Sequence, residues 1–414
     1  MSKKILLIIG ILVLVGIAAF LILTSKPQAE EGGRVGFSIR DFLPFGKSVD
    51  TDTDTETNTE EGSSDEEVDV PTNTPIPKLR KISSEPVAGS VIFNVGTTSI
   101  VRFVEKGTGN VYEVKSDSLK IDRLSNTTIP KIIRAFWLPN GSGFLAQTLL
   151  AESEIIETSL VKLNKNKESL ASENLTPFGT TIGKLPTGIK EITIKPDGTK
   201  IFYYTTTGSS NWFVSNPDGT ATTVVMAHPL TEWLPKWVSG NTIILQTKGS
   251  SEAISYAYSF DVSNKTLKNV GVGFTGLSIN PNLSGSLSVI SSGGATPQLF
   301  VVENKSTALK TLGVNSLAEK CVWLKEKSPT IYCAVPNQIP GGNYPDVWYK
   351  GLVSTEDYVI KIDIDNNITY TVGDFSLLTD QKIDATDLIL SPDETHLVFR
   401  NKIDGFLWML RLEE

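Results

Sequence analysis

The sequence predicts an all-β protein, a seven-bladed β-propeller that follows an N-terminal transmembrane helix and a disordered acidic linker. One short pattern occurs seven times: an apolar residue ends a β-like run, a turn follows, and a Ser or Thr lies five residues later. Four of the six intervals between copies are 42 to 44 residues, the length of a four-stranded blade. The apolar positions are Phe93, Trp137, Ile194, Trp237, Ile279, Trp323 and Leu390, with partners Thr98, Ser142, Thr199, Thr242, Ser284, Ser328 and Thr395.

The N-terminus predicts a membrane anchor. Residues 5–24 are uncharged and mostly aliphatic, and as a helix they would span about 30 Å, one hydrocarbon core. The stub of residues 1–4 carries two lysines, so the positive-inside rule places the N-terminus in the cytoplasm and the propeller outside the cell membrane. A cleaved signal peptide is the alternative, but it would normally have a shorter apolar core and a small-x-small site. We therefore expect an uncleaved, single-pass protein whose first partner is membrane lipid.

Two further segments connect the anchor to the propeller. Within the juxtamembrane segment 25–47, residues 34–47 alternate three Phe with three basic residues. This pattern predicts a membrane-interface contact, a plain tether or a docking peptide. Residues 48–77 are rich in Thr, Asp, Glu, Ser and Pro and predict a disordered acidic linker. Ten acidic residues lie between 50 and 69, which is more negative charge than the net −8 of the whole chain. The rest of the chain is therefore close to neutral and offers no strongly basic surface for nucleic acid.

Residues 78–414 predict the propeller itself. Short β-like runs alternate with Pro-Asp-Gly, Pro-Asn-Gly and Gly-Asn turn signals, and no segment has sustained helical periodicity. After Leu390 only two more strands fit, at 396–400 and 406–412, whereas the run 79–83 has no blade of its own. We expect this N-terminal strand to complete the seventh blade and to close the ring non-covalently.

Two copies of the repeat resemble a known family. Residues 194–203 read Ile-Lys-Pro-Asp-Gly-Thr-Lys-Ile-Phe-Tyr, and residues 390–399 read Leu-Ser-Pro-Asp-Glu-Thr-His-Leu-Val-Phe. Both resemble the repeat of TolB-like, WD-repeat-like bacterial propellers, and the likeness extends over roughly 78–414. It implies a propeller with an envelope-associated binding role. The Gly-His and Trp-Asp dipeptides of eukaryotic WD repeats are missing, so the partners of those proteins do not carry over.

The sequence favours a binding protein over an enzyme. His228 and His396 are the only histidines, so we expect no metal site, no cofactor and no catalytic residue of the common metal-dependent kinds. No Gly-x-Ser-x-Gly elbow and no α/β domain accompany the propeller, which argues against a prolyl-peptidase-like hydrolase. The leading hypothesis is a non-catalytic module that binds an envelope protein or glycan. The alternative is an envelope hydrolase or lyase with carboxylates at the propeller mouth.

Two long intervals predict insertions on one face. In the sixth unit, residues 336–358 are rich in Pro and Gly and carry aromatic side chains typical of interface anchors. We predict that these side chains bind a partner or, alternatively, that the loop folds down as a plug. In the second unit we place the extra residues near 149–158, also between the second and third strands. The candidate binding residues are Tyr344, Trp348, Tyr349 and Tyr358.

The two cysteines flank one predicted hairpin. Cys321 and Cys333 lie equally far from Lys327, so in a regular hairpin they face each other on neighbouring strands. They predict either a cross-strand disulfide formed in an oxidising compartment or two buried thiols.

The three Trp of the repeat end inner strands, and we expect them to pack between blades rather than to bind a ligand.

Overall fold

The computed structural model describes residues 75–150, 155–166, 176–205, 210–303, 306, 308–325 and 329–412. The predicted segments 1–4, 5–24 and 25–47, and nearly all of 48–77, lie outside these residues. Within the described ranges, no helix is long and apolar enough to cross a membrane.

Seven antiparallel four-stranded sheets form the propeller, and each sheet is one blade. The first strand of the chain, β1 (Leu79–Lys81), belongs to the last blade. Blade 1 consists of β2 (Val87–Val95), β3 (Thr98–Glu105), β4 (Val111–Lys115) and β5 (Ile121–Ser125). Blade 2 consists of β6 (Ile132–Trp137), β7 (Gly143–Leu149), β8 (Ile156–Lys165) and β9 (Phe178–Lys184). Blade 3 consists of β10 (Ile189–Ile194), β11 (Ile201–Thr205), β12 (Asn211–Ser215) and β13 (Thr223–Ala227).

The remaining blades follow the same order. Blade 4 consists of β14 (Trp233–Ser239), β15 (Thr242–Thr247), β16 (Ile254–Asp261) and β17 (Thr266–Thr275). Blade 5 consists of β18 (Ser278–Pro281), β19 (Leu287–Ser291), β20 (Leu299–Glu303) and β21 (Leu309–Thr311). Blade 6 consists of β22 (Cys321–Trp323), β23 (Thr330–Pro336), β24 (Asp357–Asp363) and β25 (Ile368–Asp374). Blade 7 consists of β26 (Ala385–Leu390), β27 (His396–Asn401), β28 (Leu407–Arg411) and β1.

Strands a to d of each blade run from the inside of the ring outwards. Because consecutive strands are antiparallel, the a–b and c–d turns lie on one face of the ring. The b–c loops and the d–a connections between blades lie on the other, which we call the b–c face. Two short helices, Asp346–Tyr349 and Phe375–Leu378, and the 3-10 turn Ala318–Lys320 are inserted between strands.

The seventh blade confirms the predicted closure. β1 pairs antiparallel with β28, with Leu79 opposite Leu410, so the first strand completes the last sheet. The Arg80 guanidinium also donates hydrogen bonds to the carbonyl oxygens of Lys115 and Ser116, at 2.8 and 3.2 Å, in the c–d turn of blade 1. The N-terminal strand therefore holds blade 7 together and ties it to blade 1.

The Ser or Thr of the repeat can form hydrogen bonds within the a–b turn. In blade 3, the backbone N–H and the hydroxyl of Thr199 donate to the Asp197 carboxylate at 2.9 and 2.6 Å. A hydrogen bond from Lys195 and those from Thr199 lower the pKa of Asp197 to about 2. Gly198 between them has a φ of +74°, which favours glycine. The repeated pattern is therefore local turn chemistry.

The repeated Trp side chains are buried, as predicted. Trp137 Nε1 donates to the Gly89 carbonyl oxygen of the preceding blade at 3.1 Å. Trp323 Nε1 likewise donates to the Asn280 carbonyl oxygen at 2.9 Å. Blades 1 and 2 approach so closely that a Cβ on Gly89 would lie 2.0 Å from the Ala135 carbonyl oxygen. These contacts fix the spacing between neighbouring blades.

The predicted position of the second insertion is wrong. β7 ends at Leu149, β8 begins at Ile156, and these two residues pair, so the b–c connection of blade 2 is short. The longer interval, 166–177, separates strands c and d, and most of it lies outside the described residues.

Candidate functional site

The insertion of blade 6 lies on the b–c face and contacts several blades. Residues 337–356 connect β23 to β24 and include the short helix Asp346–Tyr349; we call this segment the cap. Its two ends meet where the Asn337 N–H donates to the Glu356 carbonyl oxygen at 2.8 Å. The chain between them therefore leaves blade 6 and returns to it at one point.

The first half of the cap attaches to blades 4 and 5. Tyr344 in the cap and Gly294 in the b–c loop of blade 5 exchange two backbone hydrogen bonds of 2.9 Å. Asp346 accepts hydrogen bonds from the Ser250 hydroxyl at 3.1 Å and from the Ser251 N–H in the b–c loop of blade 4. Burial pushes the pKa of Asp346 upwards, but these hydrogen bonds outweigh it and hold the pKa below its ordinary value.

The second half of the cap attaches to the connections around blades 6 and 7. Trp348 Nε1 donates to both carboxylate oxygens of Asp384, at 3.1 and 2.9 Å. The hydroxyl of Tyr349 donates to Glu319, which precedes β22. The ring of Trp348 lies under Lys402 Nζ, which is 4.9 Å from its centroid. The cap is therefore fastened to four blades by polar contacts.

Beneath the cap lies a cluster of three buried charged side chains, which we call the buried charge cluster. Lys320, Asp357 and Asp384 are 1%, 0% and 0% exposed. Lys320 Nζ lies 2.7 Å from one oxygen of each carboxylate. Burial raises the pKa of Asp357, and repulsion from Asp384 adds to that rise against the attraction of Lys320. No sequence pattern indicated this cluster.

The predicted aromatic residues are placed in three different settings. Tyr344 and Trp348 are buried in a small core inside the cap. Tyr349 is half-buried at the edge of the cap. Tyr358 is half-buried in β24, apart from the other three, and packs against the core shared by blades 5 and 6. Of the four, Tyr349 is the one that lines an open cleft.

That cleft lies between the cap and blade 4 and has a volume of about 670 Å³, within the range of ordinary ligand sites. Strands b and c of blade 4 supply Thr247, Ile254 and Tyr256. The rest of the wall comes from the connection between blades 3 and 4, the b–c loop of blade 4 and the cap: Pro229, Leu230, Thr231, Glu232, Lys248, Gly249, Ser250, Asp346, Tyr349 and Lys350. The cleft wall therefore combines apolar side chains with charged side chains of both signs.

A second cavity of about 290 Å³ lies along the inner strands of blades 4 and 5. Lys236 and Glu319 both line it. Lys236 Nζ donates to the Asn280 side-chain oxygen, and its surroundings lower the pKa of Lys236 to about 8 by desolvation. Burial and repulsion from Asp387 raise the pKa of Glu319, despite hydrogen bonds from Tyr349 and Ser278.

The two cysteines are bonded in the structure. Cys321 in β22 lies directly opposite Cys333 in β23, and their sulfur atoms are joined at 2.07 Å. Both sit in the core shared by blades 5 and 6. Among the described residues, no three His, Cys, Asp or Glu side chains converge as a metal-binding group.

The similarities to known proteins lie at the level of fold. A scan against protein-family models finds no match, and no curated protein matches the chain. An oligogalacturonate lyase from Vibrio parahaemolyticus has 10% identity and a TM-score of 0.55, covering 81% of this chain and 94% of its own. The chain has a β-propeller fold.

Two further solved structures are similar to this propeller. An oligogalacturonate lyase in complex with manganese has 11% identity and a TM-score of 0.51, covering 77% of this chain and 87% of its own. TolB from Acinetobacter baumannii has 11% identity and a TM-score of 0.35, covering 75% of this chain and 61% of its own. The two lyase structures, with TM-scores above 0.5 and identities near 10%, show the shared architecture of the propeller and not its activity.

Proposed function

We propose that this protein is a membrane-anchored, extracytoplasmic propeller that binds an envelope protein, without catalysis, in the cleft between the cap and blade 4. The observation that carries this proposal is a row of exposed apolar side chains on the cleft wall. Leu230, Ile254 and Tyr256 are 51%, 56% and 41% exposed. Apolar side chains that lie together in a concave surface gain free energy when a partner removes them from water.

The mixed lining of the cleft favours a protein segment over a glycan. Blade 4 and the connection before it supply Glu232 and Lys248, and the cap supplies Asp346 and Lys350. Apolar side chains combined with polar and charged ones are the usual composition of a protein interface. A glycan remains the alternative ligand, with Tyr256 as the ring on which a sugar would stack.

Site-specific photo-crosslinking in the cell tests the position of the binding surface. We expect a photoreactive phenylalanine derivative at Tyr256 to capture one defined envelope protein. Val95 is exposed in the a–b turn of blade 1, on the opposite face, and is the matched control. The change Ile254→Glu should weaken the captured interaction about tenfold or more, because it places a charge among the apolar side chains of the cleft wall. Equal crosslinking from both positions would contradict a binding site in the cleft.

The membrane topology needs its own test. We propose that residues 5–24 anchor the protein, with the propeller on the extracytoplasmic side, because two lysines precede that stretch and acids dominate the linker 48–77 on its other side. Protease added to intact spheroplasts should then release the propeller by cutting within 48–77. Cutting that occurs only after lysis would reverse the orientation.

A second candidate function is a lyase or hydrolase centred on the inner cavity. The observation that favours it is that Lys236, which is exposed in the cavity and whose pKa is lowered to about 8, and the carboxyl group of Glu319 line the same cavity. A β-elimination needs a base that is partly neutral near physiological pH and a group that can donate a proton. The two oligogalacturonate lyases share this architecture.

The pKa of Lys236 provides the test of this candidate. Because the pKa is lowered to about 8, the amine is protonated below that pH and becomes neutral above it. We expect acylation of Lys236, followed by peptide mapping, to rise with a midpoint near pH 8. Cleavage of uronate oligomers, followed by the absorbance of the unsaturated product, should rise over the same range and be lost in Lys236→Met. No cleavage at any pH would remove this candidate.

A further inference from the structure

The buried charge cluster joins three parts of the chain that are distant in sequence. Lys320 ends the 3-10 turn before β22, Asp357 begins β24, and Asp384 immediately precedes β26. All three side chains are buried, and the ring of Trp348 packs beside Lys320, whose Nζ is 5.5 Å from the ring centroid. The chain therefore brings an amine and two carboxyl groups together in the protein interior.

The amine is held against both carboxyl groups. Lys320 Nζ lies 2.7 Å from Asp357 Oδ2 and 2.7 Å from Asp384 Oδ1. Its third hydrogen bond, also 2.7 Å, goes to the Thr355 hydroxyl. Because the groups are already held in contact and in a fixed orientation, amide formation avoids the entropy loss that makes the reaction slow between free groups. Burial also raises the pKa of Asp357, which favours its protonated form.

We propose that Lys320 and Asp357 condense into an intramolecular amide bond, with Asp384 transferring the protons. The ammonium group of Lys320 gives one proton to the Asp384 carboxylate, and the neutral amine attacks the carboxyl carbon of protonated Asp357. Asp384 then carries a proton from the nitrogen to the departing hydroxyl group. The C–N bond forms, the C–O bond breaks and one water leaves. No oxidant, reductant or other reactant is required.

The two carboxyl groups have different hydrogen-bond partners. Asp384 accepts from Trp348 Nε1 with both oxygens and from the Thr355 N–H at 3.2 Å. Asp357 accepts from the Thr355 hydroxyl at 2.8 Å and from the Ala385 N–H at 2.7 Å. The raised pKa of Asp357 agrees with its role as the protonated, electrophilic partner.

The bond would close the chain into a covalent loop from Lys320 to Asp357. That loop contains the whole cap and the Cys321–Cys333 pair. Its formation would fix the exit of the cap, at Asp357, to the residue that precedes β22. The proposal is independent of the binding function, since it concerns how the cap is held and not what it contacts.

Mass spectrometry of the full-length protein tests the bond directly. After denaturation and complete reduction, we expect a mass lower than that of the sequence by one water. Proteolysis should yield a branched peptide that joins Lys320 to Asp357, and this result does not depend on processing of the N-terminus. Unlinked peptides from the folded protein, or a branch from Lys320 to Asp384, would overturn the proposal.

Variants separate the proton-transfer role from the fold. Asp384→Asn keeps the side-chain shape and should leave the branched peptide undetectable in folded protein. Asp387→Asn is the matched control, because Asp387 is exposed and pairs with Arg400, and its branched peptide should form as in the parent protein. A branched peptide at parental yield in folded Asp384→Asn would overturn the role of Asp384. Should that variant not fold, the parent protein still decides whether the bond exists.

Discussion

Deletion of residues 78–84 is expected to open the ring and to leave a protein that aggregates or melts at a much lower temperature. The deletion removes β1, so β28 becomes an unpaired edge that can recruit another chain. It also removes Leu79 from the core of blades 6 and 7 and Arg80 from its carbonyl partners in blade 1. We expect Tm to fall by roughly 10 °C or more, since several kcal/mol of packing and hydrogen bonding are lost.

The measurement combines size-exclusion chromatography with thermal unfolding followed by circular dichroism. A deletion of seven residues within 50–69, outside the described residues, is the length-matched control and should leave both readings unchanged. A monomer with the parental Tm after removal of β1 would show that the ring does not depend on this strand.

Replacement of Trp348 by Ala is expected to lower the free energy of unfolding by about 3–5 kcal/mol. The side chain is only 4% exposed and packs with Tyr344 and Leu317 in the small core of the cap. Its loss also removes an N–H donor from the buried carboxylate of Asp384, and an undersatisfied buried charge adds to the cost. Denaturant unfolding of the variant measures this difference.

Two other aromatic residues are compared with Trp348, one for stability and one for binding. Tyr370 is exposed in β25, so Tyr370→Ala should change the free energy of unfolding by less than about 1 kcal/mol. Tyr349→Ala should reduce binding in the cleft, because Tyr349 lines it. A small stability loss in Trp348→Ala would mean that the cap is not packed on the propeller as described.

The blades were predictable because their signal is local and repeated. In four units the Ser or Thr bonds to an Asn or Asp side chain two residues earlier, as Thr199 does with Asp197 and Thr395 with Asp393. This chemistry acts within one hairpin and is therefore visible in a short stretch of sequence. Closure was predictable for a related reason: the last unit of the repeat had only three strands, and one strand before the first unit had no blade of its own.

The functional features depended on long-range contacts and could not be predicted in the same way. Lys320 and Asp384 are separated by 64 positions and pair directly, yet each stands alone in an ordinary sequence context. The aromatic residues of the cap were visible, but only the contacts of Trp348 with blade 7 show that it faces inwards. In blade 2, extra residues lengthened two strands and moved the long connection to the c–d turn, and length alone could not show that division.

The position of β1 also has a mechanical consequence. Any tension along the chain before residue 78 reaches the propeller first through the three residue pairs that join β1 to β28. Arg80 is the cross-tie at that point, since its guanidinium binds carbonyl oxygens of the neighbouring blade. If the chain before residue 78 were pulled, we would expect blade 7 to unfold before the other six. The strand that completes the ring is therefore also the strand to which the force is applied.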